Sequence, residues 1–88
     1  MTLDQLAKGV VAHITGFQSK TGADNQDAKV VSKLREIGFA EGDEVELMHT
    51  GLLFGTPLSF RLNRTIIALR KREASLITIS TVEQAASR

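Results

Sequence analysis

The side chains in this sequence that could do chemistry are few and scattered. His13 and His49 are the soft-metal candidates, and acids crowd one segment at Glu41, Asp43, Glu44 and Glu46. A zinc or iron centre needs about four converging ligands. No HxH, HxxxH or DxH spacing occurs, the histidines fall in separate strand-like segments, and alternation sends the acids to different sides. A metal site is therefore not expected. The absence of cysteine removes disulfides, cysteine-ligated zinc and iron–sulfur clusters, and is compatible with a reducing cytoplasm. There is no G-x-S-x-G, no phosphate loop and no paired His–acid spacing, and Ser59 and Ser75 have no evident base. No catalytic residue and no cofactor are assigned, and an enzyme is not expected.

Binding chemistry is better represented. Leu52, Leu53 and Phe54 stand between Gly51 and Gly55, where glycine and proline announce a turn. Fully burying one such side chain is worth roughly 1.5–3 kcal/mol, so the tip either folds back on a core or is covered by something else. At least one of the three is expected in the core and at least one exposed, which suits a docking surface and equally a homo-oligomer. A basic cluster follows at Arg61, Arg64, Arg70, Lys71 and Arg72. Single-strand nucleic-acid binding on a small barrel wants aromatic stacking platforms. With no Trp or Tyr, four Phe and a net charge of +1, nucleic acid is not expected as a partner. A solvated basic face, or one turned to an acidic protein surface, fits better.

The elements that must position these residues are short. The 88 residues make one domain, 1–88, with a real but thin core. No secretory signal and no bilayer-length apolar run is visible, so a soluble cytoplasmic domain is expected. "TLDQLAKG" reads as a helical turn capped by Thr2 or Asp4, with Leu3 and Leu6 inward and Gly9 ending it. "VVAHITGF" has strand composition. The polar run 18–27 is expected to be a mobile loop. "AKVVSKLREIGF" carries a helical period, with Val30, Leu34 and Ile37 on one face, Asp27 as N-cap, and Gly38 and Phe39 closing a Schellman cap.

Beyond the helix the period becomes two. "DEVELMH" sets Val45 and Leu47 against Glu44 and Glu46, and "PLSFRL" sets Leu58, Phe60 and Leu62 against Ser59 and Arg61. Asn63-Arg64 forms a tight hairpin turn into "TIIAL". "RKREA" bridges to a last strand, "SLITIS", with Ile77 and Ile79 on one face, and 82–88 is a flexible tail. Glycines 38, 42, 51 and 55 read as caps and turns. The class is mainly β with one or two short helices: a small, partly open SH3-like barrel of about five strands.

In that order, "LREIGF" followed by Gly42, the G-x-P-L turn at Gly55, Pro57 and Leu58, and the stretch from Ala68, Leu69 and Arg70 through Glu73 and Ala74 to Ile77 resemble the FeoA family. "LAKGVVAHI" resembles that family's opening. Thr56 stands where the family commonly has an aspartate. The resemblance spans most of the chain apart from 18–27 and the tail, and implies an SH3-like fold and a binding role. Such proteins act in bacterial ferrous-iron uptake on a membrane permease with a GTPase domain, which would make this chain a cytoplasmic adaptor or regulator in iron homeostasis. The expected contact surface is Leu52, Leu53 and Phe54 with Arg61, Arg64 and Arg70. The competing reading is a small-barrel regulatory module binding a metal ion or nucleic acid.

Overall fold

The structure is a computed structural model that describes residues 1–18, 25–51 and 55–81. The tip Leu52, Leu53 and Phe54 and the tail 82–88 lie outside the described residues. Five strands follow the period-two segments: β1 Val11–Phe17, β2 Glu44–Gly51, β3 Gly55–Leu62, β4 Thr65–Leu69 and β5 Ile77–Thr81. They form one antiparallel sheet in the order β4-β3-β2-β1-β5. Helix α1, Asn25–Ile37, joins β1 to β2, and the single turn α2, Lys71–Ala74, joins β4 to β5. The expected mainly β, five-stranded SH3-like architecture is what the chain forms.

The core is the inward set of the alternating strands. Ala12, Ile14, Val45, Leu47, Leu58, Phe60, Leu62, Leu69, Ile77 and Ile79 are all buried, closed over by Leu3, Leu6, Leu34 and Phe39. Curling the sheet lets so short a chain cover one face of every strand without a second sheet. Register slips in β1 between Ile14 and Gly16, and in β2 between Leu47 and His49, supply that curvature. Asn63 takes a positive φ of 55° at the β3–β4 turn, with Leu62 opposite Thr65, as a two-residue hairpin requires.

The end of α1 forms as its residues predict. Gly38 has φ 130°, its N–H donates to the Arg35 carbonyl and the Phe39 N–H to the Leu34 carbonyl, the two bonds of a Schellman cap. Its start differs from expectation. The helix opens at Asn25, so 25–27 do not belong to a loop, and Asp27 sits inside the first turn rather than at the N-cap. There it is buried and meets Arg72 of α2 at 3.5 Å. Ile37, assigned to the inner face, is 43% exposed. The opening turn is a single 3-10 turn, Leu3–Gln5, ending at Leu6 rather than Gly9. Ser75 and Leu76, read as strand, precede β5. Gly51 and Gly55 are register partners at the ends of β2 and β3, not turn residues themselves.

Candidate functional site

Strand alternation sends the chemistry-bearing residues to the outer face of the sheet. Cross-strand partners share a face, so the register assembles one row from Val11, Glu46, Arg61 and Ile66 across β1 to β4. His49, Ser59 and Ala68 make a second row. His13 lies opposite Glu44 on one side and Ser80 on the other. Glu44 and Glu46 therefore project from the same face, as their alternation with Val45 and Leu47 predicts, and each has a different neighbour. Arg61 Nη2 donates to Glu46 Oε1 at 2.5 Å. His13 Nε2 stands 3.7 Å from Glu44 Oε2, too far for a hydrogen bond.

A cleft of about 190 Å³ opens on this face, lined by Val11, Glu44, Val45, Glu46, Arg61 and Asn63. Within it Arg61 is paired with Glu46, and Glu44 stands outside that pair. Among the described residues no three histidine or acidic side chains converge as a metal-holding group, and His13 and His49 lie on separate strands. What the arrangement offers is a mixed apolar and charged surface suited to contact.

Arg61, Arg64 and Arg70 are all exposed, but the fold does not gather them. Arg61 is the next-to-last residue of β3, Arg64 sits in the β3–β4 turn, and Arg70 follows β4 as the N-cap of α2. Leu69 pairs with Leu58, which puts Arg70 at the Gly55 end of β3. Arg64 is at the other end, about 20 Å from Arg70 for six residues of extended chain. The candidate surface is thus a strip along β3, with Arg64 far from the β2–β3 connection that carries Leu52, Leu53 and Phe54.

The sequence reading missed a second feature, beside β4. A groove of about 180 Å³ separates α1 from this strand, with Val30, Lys33, Leu34 and Ile37 on one wall and Ala68, Leu69 and Glu73 on the other. Its signal in the sequence was the unbroken apolar run Ile66-Ile67-Ala68, too long for a half-exposed strand. Ile66 is 58% exposed. A third hollow, of about 310 Å³, lies between Phe17, Gln18 and the Ala28–Val31–Arg35 face of α1, where the Arg35 guanidinium stacks over Phe17 at 4.3 Å.

The model of the FeoA domain matches residues 1–81. The chain belongs to the FeoA domain family. A zinc-complexed FeoA from Stenotrophomonas maltophilia, described as a prokaryotic SH3 domain protein and a possible bacterial ferrous iron transport activating factor, is 32% identical. It superposes with a TM-score of 0.75 over 91% of this chain and 89% of its own. Iron(II) transport protein A from Clostridium thermocellum is 31% identical with a TM-score of 0.73, and the match covers 94% of this chain but 46% of that one. A FeoA-like protein from Clostridium acetobutylicum shares the fold at a TM-score of 0.76 and 22% identity, over 93% of this chain and 86% of its own. No curated protein matches significantly. The FeoA family thus accounts for the motif order, and the relatives named for ferrous iron transport are those above 30% identity.

Proposed function

We propose that this FeoA-domain chain is a non-enzymatic accessory of ferrous-iron uptake, acting as an adaptor on the cytoplasmic side of a membrane iron(II) permease with a GTPase domain. The observation that carries this reading is the 32% identity, over nine-tenths of both chains, to a protein described as a possible ferrous iron transport activating factor. The surface is consistent with it. The outer sheet face presents paired charges and exposed arginines, and no helix among the described residues is long and apolar enough to cross a membrane. On this reading association with the permease is peripheral, through the strip from Leu52, Leu53 and Phe54 past Arg70 and Arg61 to Arg64. The chain need not bind the iron itself to regulate its passage.

The test is iron(II) uptake in cells that express the permease with and without this chain, beside co-purification of the two from gently solubilised membranes. The adaptor reading expects uptake to fall several-fold without the chain and the permease to be retained on the tagged protein. Unchanged uptake together with no retention overturns it.

A further inference from the structure

The two edges of the sheet are treated differently. β5 is covered: Thr2 bridges Thr78, and the Ile79 N–H donates to the Met1 carbonyl at 2.9 Å. β4 carries no such cover among the described residues. A two-residue turn makes Leu62 and Thr65 a hydrogen-bonded pair, so Phe60–Ile67 and Leu58–Leu69 bond as well, and Ile66 and Ala68 turn their N–H and C=O groups outward. Neither residue has a hydrogen-bond partner among the described residues to satisfy those groups. Both side chains are exposed, and the groove to α1 runs alongside. Uncovered edges are templates for a further strand.

We propose that the β4 edge is a docking site for an extended acidic segment of a partner protein, which adds to the sheet as a sixth strand. A second copy of this chain is the obvious competitor, and the backbone would permit it, because antiparallel β4–β4 pairing about Ile67 sets Ile66 against Ala68. Carried one residue past each end of β4, the same register brings Arg64 of each copy opposite Arg70 of the other. Like charges directly opposed across strands repel, and neither arginine has an ion-pair partner among the described residues. Charge complementarity therefore selects an acidic occupant over a second copy.

The spacing defines its pattern. Arg64, Ile66, Ala68 and Arg70 recur every second residue, so the segment reads acid-x-apolar-x-apolar-x-acid over seven positions. Its intervening side chains turn towards Val30 and Ile37 of α1, with Lys33 at the rim. The inference deepens the adaptor reading by giving the chemistry of the partner's contact, and in that clause rests on it.

The probe is an acetylated, amidated peptide, Glu-Ser-Val-Thr-Val-Ser-Glu, with a control carrying Lys at both ends. Binding is read by fluorescence anisotropy and by the backbone amide resonances of Ile66 and Ala68. The expected result is binding at least tenfold tighter for the acidic peptide, with those two amides shifted most. Ala68→Pro removes one outward N–H without touching a bond to β3, and is expected to weaken binding at least tenfold while circular dichroism stays unchanged. Should that variant lose its fold, the Arg64→Glu, Arg70→Glu double variant decides instead, with its preference reversed to the lysine-ended peptide. No binding, shifts confined to the Val11–Glu46–Arg61 face, or a concentration-dependent dimer protecting Ile66 and Ala68 would each overturn the inference. Permease retention by wild type and Ala68→Pro alike would also overturn it, while leaving the adaptor reading in place.

Discussion

The Arg72 guanidinium reaches back from α2 to the Asp27 carboxylate in the first turn of α1, Nη2 to Oδ1 at 3.5 Å. The two ends of that contact are unlike: the Asp27 side chain is 3% exposed and that of Arg72 66%. A buried carboxylate depends on its partners far more than an exposed guanidinium does. Arg72→Ala is therefore expected to destabilise the fold by about 1–2 kcal/mol, less than the loss from a fully buried pair. For a domain of this size that lowers the melting temperature by on the order of 5–10 °C. Thermal unfolding followed by circular dichroism measures it, and an unchanged midpoint would mean that Asp27 does not rely on Arg72.

Arg35 holds Glu41 across the turn that follows α1, with Nη1–Oε1 at 3.2 Å and Nη2–Oε2 at 3.3 Å. This two-pronged bond, helped by a backbone hydrogen bond, holds the Glu41 carboxyl below its ordinary value of 4.5. A folded value below the unfolded one means the contact adds stability above pH 4.5 and loses it as the pH falls through the folded value. Carbon-detected titration of Glu41 should show the depressed midpoint, and Arg35→Gln should return it towards 4.5. An unshifted midpoint in the wild type would show that the pair does not persist in solution.

Gly38 ends α1 at φ 130°, a backbone setting that side chains rarely adopt, although a Cβ there would meet nothing nearer than Leu62 Cδ2 at 3.9 Å. Space is available and conformation is not. Gly38→Ala is expected to cost about 1–2 kcal/mol through the strained backbone alone. Gly16 provides the contrast, since its backbone is ordinary but a Cβ would press Thr78 Oγ1 at 3.3 Å. Denaturant unfolding of Gly38→Ala should show a lower midpoint with an unchanged slope.

Much of this fold was legible because burial and local geometry agreed. Val45, Leu47, Leu58, Phe60 and Leu62 alternate in sequence and all are buried, and Leu34, Gly38 and Phe39 form the cap their spacing predicts. Expectation failed where the tertiary arrangement mattered. Asp27 has the chemistry of an N-cap, yet the helix begins two residues before it and its carboxylate meets Arg72, 45 residues away. Ile37 fits the apolar stripe of α1, but it lines the open groove beside Ala68 and Leu69 and stays 43% exposed. The arginines read as one cluster because they are close in sequence, whereas the β3–β4 hairpin sends Arg64 and Arg70 to opposite ends of a strand. The apolar run Ile66-Ile67-Ala68 hinted at β4's exposed face, but that β4 is an edge strand follows from strand order, which is a property of the whole chain.

That separation sets the last prediction. A standard interface buries about 800 Å² on each partner, a patch roughly 30 Å across, so one partner can span the strip from Gly55 to the Arg64 turn. If the permease contact covers it, Phe54→Asp and Arg64→Glu should each weaken retention of the permease while leaving the circular dichroism spectrum of the wild type. Leu53→Asp should act as Phe54→Asp does. Residues this far apart share no partner side chain, so the effects of Phe54→Asp and Arg64→Glu should add in the double variant. Arg64→Glu should act mainly on the association rate and lose its effect at high salt, as a rim charge does, whereas Phe54→Asp should act on dissociation at any ionic strength. Loss of retention by Phe54→Asp with none by Arg64→Glu would confine the contact to the Gly55 end. Unfolding of both the Leu53→Asp and Phe54→Asp variants would place that tip in the core and remove it from the surface.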